Sequence, residues 1–588
     1  MIRPADHRHV SGAVPVPAVE AERLTFRYRS GEKPVFRDVS FSVKQRETVL
    51  FLGPSGCGKS TLMYCLNRLY PDSVDGILEG TVKVYGQPVS DVPAGELCRK
   101  IGIVFQDPDS QFCMTRVDEE VAFGLENLGV PRSEMDERID RILRQVGLAE
   151  YRRERIHTLS GGMKQKLAVA CVLAAEPKIL ILDEPTAQLD PQSAREIVHH
   201  IIKFQQERGL TLLIVEHRLD EWIAHVDRCL LLHADGGLLD EGAPRACFTR
   251  HGKDLAHWGI WMPAVTQLTL ELPSSPDAVQ EELPVTERQF IEAVKGAESV
   301  TADLERRLQP PRPAEQPHDP ESVLSVDGLT VRIGNKTVLR RIDLAFRLGE
   351  LAAIVGANGS GKTTLLQHLG GIGHKSSEGD WRLNGRPPSD WSQDELRRRI
   401  GYVFQNPEHQ FVTFTVFDEV AFGMRQQRLP ESAVHAEVRR LLQESGLAGL
   451  EEANPFSLSQ GQKRRLSVAT MLADEQQWLL LDEPTFGQDA RTSEQLMLLL
   501  RRRVEGGKAV IMVTHDMELV QRYADRVILL MDGEVRYDGA PFGLWKQEDL
   551  LSQSGIIPPV CYRLRMMLEQ QHVGENADAA FRTVESGS

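Results

Sequence analysis

Two stretches of the chain alternate apolar and polar residues with a period of two, Ala21 to Val43 and Val323 to Phe346. That spacing predicts strands with one buried face. Each stretch leads into a short, wholly apolar run, Thr48 to Leu52 and Leu351 to Val355, which ends on a glycine-rich turn. Later, Ile179-Leu-Ile-Leu182 and Leu479-Leu-Leu481 carry apolar residues on both faces and are separated from their neighbours by amphipathic helical segments. Strands apolar on both faces belong in a largely parallel sheet covered by helices on each side, so the pattern predicts an α/β protein.

The pattern is written twice. Ile103-Val-Phe-Gln106-Asp-Pro-Asp-Ser-Gln-Phe112 recurs as Tyr402-Val-Phe-Gln405-Asn-Pro-Glu-His-Gln-Phe411, Glu120-Val-Ala-Phe-Gly124 as Glu419-Val-Ala-Phe-Gly423, and Leu182-Asp-Glu-Pro-Thr186 as Leu481-Asp-Glu-Pro-Thr485. Gln106 and Gln405, Glu120 and Glu419, and Leu182 and Leu481 are each 299 residues apart, a register that predicts two homologous domains head to tail. Gly259-Ile-Trp-Met-Pro263 and Gly555-Ile-Ile-Pro-Pro559 add a repeated C-terminal extension to each. The expected organisation is a tail over 1–20, a first domain with its extension over 21–273, a linker over 274–321, a second domain with its extension over 322–573, and a disordered tail over 574–588. Pro and Glu in the linker predict an acidic, semi-extended segment with a short helix near Arg288 to Leu308.

Composition narrows the picture. With 588 residues, 41% hydrophobic and 26% charged, the chain has the make-up of a globular protein too long for one core. A net charge of −15 argues against nucleic acid as the partner, since phosphate backbones are held by clustered Lys and Arg. No apolar run reaches the roughly 18 residues a membrane helix needs, and Met1 to Glu20 lacks a secretory core. The eight cysteines form no CxxC pair, which fits thiols in a reducing cytoplasm.

The chemistry lies in the glycine-rich turns. Gly53-Pro54-Ser55-Gly56-Cys57-Gly58-Lys59-Ser60-Thr61 and Gly356-Ala357-Asn358-Gly359-Ser360-Gly361-Lys362-Thr363-Thr364 both fit GxxxxGK[ST] between a strand and a helix. Such a P-loop turns backbone N–H groups toward phosphates and sets them at a helix N-terminus. Lys59 and Lys362 then reach the terminal phosphates, and Ser60 and Thr363 ligate Mg²⁺. Asp183 and Asp482 end apolar strands and fit the Mg²⁺-organising carboxylate. Glu184 and Glu483 follow, placed to polarise a water as general base or orienting group. Cys57 is either a thiol of depressed pKa at a helix start or a small residue that fits there.

Leu159-Ser160-Gly161-Gly162-Met163-Lys-Gln165 and Leu458-Ser459-Gln460-Gly461-Gln462-Lys463 resemble the LSGGQ signature of ATP-binding-cassette proteins. Gln106 and Gln405 match that family's Q-loop glutamine, Gln188-Leu-Asp190 and Gly487-Gln-Asp489 its D-loop, and His217 and His515 its switch histidine. The resemblance covers both halves. It implies two tandem P-loop ATPase domains, each with an antiparallel β subdomain, a mainly parallel core sheet and a helical signature subdomain. It also implies two ATP sites at the seam of an intramolecular head-to-tail pair. The first site would join Lys59, Ser60, Gln106, Asp183, Glu184 and His217 to Ser459 and Gly461. The second would join Lys362, Thr363, Gln405, Asp482, Glu483 and His515 to Ser160 and Gly162. Gln106 and Gln405 would share the metal with Ser60 and Asp183, and with Thr363 and Asp482. Tyr28 fits the aromatic that stacks on adenine, where the second copy has Ile333. Met163 and Gln460 depart from the signature and are expected to be tolerated.

The Val-Phe-Gln-(Asp/Asn)-Pro-x-x-Gln-Phe run, the Glu-Val-Ala-Phe-Gly segment and the paired extensions resemble ATPases of energy-coupling-factor importers, which serve vitamins, vitamin precursors such as hydroxymethylpyrimidine/thiamine, and cobalt or nickel. That resemblance implies a peripheral protein at the cytoplasmic face of the membrane. Its partners would be an integral membrane coupling protein, gripped by the segments after Gln106 and Gln405, and a substrate-binding membrane subunit, with no nucleic acid. The alternative is a tandem-cassette translation factor acting on the ribosome.

Overall fold

A computed structural model describes residues 16–571 apart from 30, 32, 188, 275, 277, 278, 280, 296, 310–322, 335, 373–376, 474 and 475. Both expected tails, the Pro-rich runs beyond Gln309 and the D-loop residue Gln188 therefore fall wholly or mainly outside the described residues.

Each half is built on one plan. In the first, Val19–Tyr28 pairs antiparallel with Phe36–Val43 on one side and Gly76–Val84 on the other. The alternating burial of Phe36–Val43 reproduces the period-two pattern of the sequence. Beside this subdomain lies a six-stranded sheet in the order Leu238–Gly242, Arg228–Leu232, Thr48–Leu52, Thr211–Val215, Ile179–Asp183, Ile101–Val104. Its strands run parallel except for the antiparallel pair at the Leu238 edge. Every residue of Thr48–Leu52, Ile179–Asp183 and Thr211–Val215 is buried, as the two-faced apolar runs require. The second half repeats the sheet with Leu351–Val355, Ala509–Val513 and Trp478–Asp482 at its centre. A helical subdomain of Val117–Asn127, Arg132–Gln145 and Gly161–Ala174, mirrored by Val416–Gln426, Glu431–Glu444 and Gln460–Leu472, carries the signature segments.

The segment between the halves is helical where a short helix was expected, near Arg288 to Leu308, and is packed rather than semi-extended there. It forms two helices, Glu287–Ala293 and Glu298–Arg307, whose Phe290, Ile291, Val300 and Leu304 are buried in the core of the second half. Apolar residues at helical spacing override the Pro and Glu composition, and burying each contributes roughly 1.5–3 kcal/mol. Gln521 Nε2 donates to Arg307 O (3.1 Å) and ties the second helix to the second half.

The repeated extensions meet the seam. Gly259 O accepts from Ala490 N (3.1 Å) and Trp261 Nε1 donates to Gln488 O (3.0 Å), so the first extension grips the D-loop of the second half. Reciprocally, Gly555, whose φ of 66° favours glycine, brings the second extension against Gln192 of the first half. Three residues beyond each switch histidine, an acid holds the start of its own extension helix: Ala264 N donates to Asp220 (2.9 Å) and Val560 N to Glu518 (2.6 Å).

Candidate active site

The loops Gly53–Ser60 and Gly356–Thr363 turn where glycine is required. Gly58 and Gly361 cap their helices at φ 95° and 105°, in the left-handed region. There a Cβ would press on Val35 at 2.8 Å or on Leu339 at 2.7 Å. Lys59 Nζ donates to Gly53 O (2.8 Å) and Pro54 O (2.9 Å), and Lys362 Nζ to Gly356 O (2.9 Å) and Ala357 O (2.8 Å). Each ammonium is thus folded back over its own loop, curled around the space a phosphate chain would fill. Ser55, Gly56, Ala357, Asn358 and Gly359 are exposed at the loop tips.

Beside the first loop, Ser60 Oγ donates to Asp183 Oδ1 (2.9 Å) and Tyr64 OH to Asp183 Oδ2 (2.7 Å). Glu184 follows with φ at 50°, rare for a residue with a side chain, and its N–H is pinned to Val215 O (2.8 Å). This strained turn aims the carboxylate away from Asp183. Gln106 Nε2 donates to Glu184 Oε2 (2.7 Å), and His217 Nε2 lies 3.0 Å from Glu184 Oε1. Burial raises the Glu184 pKa, but the charge and hydrogen bond of His217 outweigh it and bring the group below its ordinary range. Asp183 moves the other way, pushed up by burial.

The second site has the same skeleton and different electrostatics. Glu483 also has positive φ, 51°, and His515 Nε2 stands 3.2 Å from its Oε1. Here burial raises Glu483 above its ordinary range, and burial with the Lys362 charge drives His515 down to about 3. The Gln405 carbonyl is engaged from below: Arg464, almost fully buried, donates Nη2 to Gln405 O (2.7 Å) and Nη1 to Phe404 O. Gln165 stands at that place in the first half. Arg464 and Tyr64 are residues that sequence reasoning missed, because their roles depend on which loop lies against the helix.

Cys57 resolves toward the plain alternative. Its thiol is buried, and burial pushes its pKa up, so it is a small packing residue and not an activated thiolate. Tyr28 stands edge-on to Phe26 (5.1 Å between ring centroids) and to Tyr70 (6.2 Å), while Ile333 is 45% exposed. One signature departure, Gln460, has a physical reason. A Cβ on Gly161 would meet nothing within 4 Å, so Gln460 fits at the matching place, whereas one on Gly162 would meet Ser193 Oγ at 3.2 Å. Ser160 and Ser459 are exposed and cap their own helices, taking Met163 N and Gln462 N (3.3 Å each). Among the described residues no hydrogen bond joins Ser459 or Gly461 to the first P-loop, or Ser160 or Gly162 to the second.

Residues 36–187 and 339–486 match the family model described as ABC transporter. The chain belongs to the ABC transporter family. Its two ATPase domains bind and hydrolyse ATP, and the antiparallel, parallel-core and helical parts are those expected from the sequence. A Bacillus subtilis (strain 168) protein named "Putative HMP/thiamine import ATP-binding protein" is 44% identical to this ABC ATPase over 558 residues, 95% of this chain and 97% of that one. A Methanosarcina mazei protein named "Putative ABC transporter ATP-binding protein" is 36% identical over 569 residues, 94% of each chain. Among solved structures, cbiO1 from Clostridium perfringens, described as part of the ABC transporter complex cbiONQ, shares 32% identity with a TM-score of 0.36, covering 41% of this chain and 95% of that one. No helix among the described residues is long and apolar enough to cross a membrane.

Proposed function

We propose that this chain is the energy-coupling ATPase subunit of an energy-coupling-factor type importer. It works at the cytoplasmic face of the membrane with an integral coupling protein and a substrate-binding membrane subunit. The observation that carries the reading is an open groove of about 550 Å³ beside the second Q-loop, lined by Val412, Phe414, Asp418, Phe422 and Arg425. Phe414 is 86% exposed and Val412 65%. Large apolar side chains left in water on the segment that follows Gln405 suit a partner helix. The likeness to a relative named for HMP/thiamine import favours a pyrimidine vitamin precursor over a metal ion as the cargo.

In this reading Lys59 and Lys362 leave their loop carbonyls for the β- and γ-phosphates. The Ser60 hydroxyl and the Asp183 carboxylate already converge, and these hard oxygen donors suit Mg²⁺. With Gln106, and with Thr363, Asp482 and Gln405 in the second half, they would hold it. When bound, Mg²⁺ neutralises phosphate charge. Glu184 and Glu483 orient the attacking water and take its proton, each held by its histidine at 3.0 and 3.2 Å. Ser459 and Gly461, and Ser160 and Gly162, complete the opposite sites when the halves close. Binding ATP thus draws the halves together, hydrolysis releases them, and the grooves pass the motion to the membrane.

The test is co-expression with the native membrane partners. The reading predicts that the chain stays with membranes only when the integral coupling protein is present, and that a vitamin precursor co-purifies with the complex. Sedimentation with ribosomes, independent of any membrane protein, would replace it with the translation alternative.

A further inference from the structure

The two switch loops differ on both sides of their histidines: Glu216-His217-Arg218 in the first half, Thr514-His515-Asp516 in the second. Glu216 is 2% exposed and accepts from Thr186 Oγ1 (2.7 Å), which fixes the base of the first loop. Arg218 then projects into a cavity of about 500 Å³ between the halves, whose far wall includes Ala490, His515 and Asp516 of the second half. On its own side, Arg218 Nη1 donates to Leu189 O (3.1 Å), one residue before Asp190 of the first D-loop. His515, which lines that cavity with Arg218, stands with its Nε2 3.2 Å from Glu483 Oε1. Among the described residues no matching cation stands on the other side, where Asp516 takes the place of Arg218. The cationic influences on Glu184 come from His217 and Lys59 of its own half, and Asp516 is occupied in capping Met517–Tyr523, accepting from Glu518 N (2.9 Å) and Leu519 N (3.1 Å).

We infer that Arg218 is a positioning residue of the second ATP site, supplied across the seam by the first half. It acts in two ways. It braces the first D-loop, and it places a fixed cation facing the Glu483–His515 pair. A guanidinium suits this role because it keeps its charge at any working pH and its planar fork can hold a carbonyl while the rest of the charge faces elsewhere. The second site therefore depends on the first half for a group that the first site does not receive in return, and the chain hydrolyses ATP unequally at its two sites.

The inference rests on the assignment of Glu184 and Glu483 as the two bases, and the test separates them. In full-length protein purified with its membrane partners, Glu184→Gln leaves only second-site turnover and Glu483→Gln only first-site turnover. If neither substitution lowers ATPase activity, the site assignment itself fails. With that assignment standing, Arg218→Ala is expected to lower kcat about tenfold in the Glu184→Gln background, with KM for ATP moving less than about twofold, and to lower it far less in the Glu483→Gln background. Arg218→Lys, which keeps charge without the fork, should recover part of the loss. Arg218→Asp, which installs the second half's residue, should lose at least as much as alanine. An equal effect of Arg218→Ala at both sites, no effect at either, or a lysine variant no better than alanine would overturn the inference.

Discussion

The two proposed bases, Glu184 and Glu483, both have strained backbones. Each stands at positive φ just past a fully buried strand, so its carboxylate leaves the sheet at an angle that an extended residue would not adopt. If they are the bases, Glu184→Gln and Glu483→Gln each reduce turnover at their own site by about 10² or more while nucleotide still binds. Steady-state ATPase assays beside binding of a fluorescent ATP analogue measure both quantities, and wild-type turnover in the double variant would contradict the assignment. Glu216 offers a separate check. Burial pushes its pKa up to about 7 from an ordinary 4.5. The folded state therefore holds this proton more tightly than the unfolded one, and the stability it contributes is full below about pH 4.5 and lost as pH rises through about 7. Glu216→Gln should remove up to about 3 kcal/mol of that pH dependence, seen as a flatter thermal midpoint between pH 5 and pH 8 than in wild type. Equal slopes would refute it. Ile333→Tyr should tighten nucleotide binding at the second site by about 1–2 kcal/mol if a stacking face is what that position lacks. Titration of nucleotide into a variant whose first site is disabled by Lys59→Ala reads this directly.

At the scale of elements, the groove after Gln405 is the part a partner would read. Phe414→Asp places a charge where an apolar helix would rest, and should abolish substrate uptake while ATPase activity persists; uptake at the wild-type rate would remove the groove from the account. The matching first-half positions, Cys113 and Thr115 where the second has Val412 and Phe414, present a more polar surface. Much of this organisation was legible in the sequence because its signals are local. Buried strands are runs of apolar residues, P-loops need glycine at fixed offsets, and a repeat keeps its register. A short helix near Arg288 to Leu308 was legible in the linker, but its division into Glu287–Ala293 and Glu298–Arg307 and its packing on the second half were not, since composition says nothing of which face finds a core. Arg464, Tyr64 and Arg218 were invisible for a related reason. Each is an ordinary helix or loop residue until folding sets Gln405, Asp183 or the opposite half beside it.

At the scale of the whole molecule, the halves are joined through their extensions. Gly259 and Trp261 hold the opposite D-loop, and Asp220 and Glu518 tie each switch loop to its own extension helix. In the proposed cycle these two hydrogen bonds would carry movement of a switch histidine to the seam, with the seam joined while the signature helices swing. Spin labels at the exposed positions Glu79, on the first β subdomain, and Arg439, on the second helical subdomain, with exposed Cys98 and Cys113 replaced, measure that swing. In the Glu184→Gln, Glu483→Gln protein the distance between them should shorten when ATP and Mg²⁺ are added and return on their removal. A distance distribution that is the same with and without trapped ATP would contradict the claim that nucleotide closes the two halves.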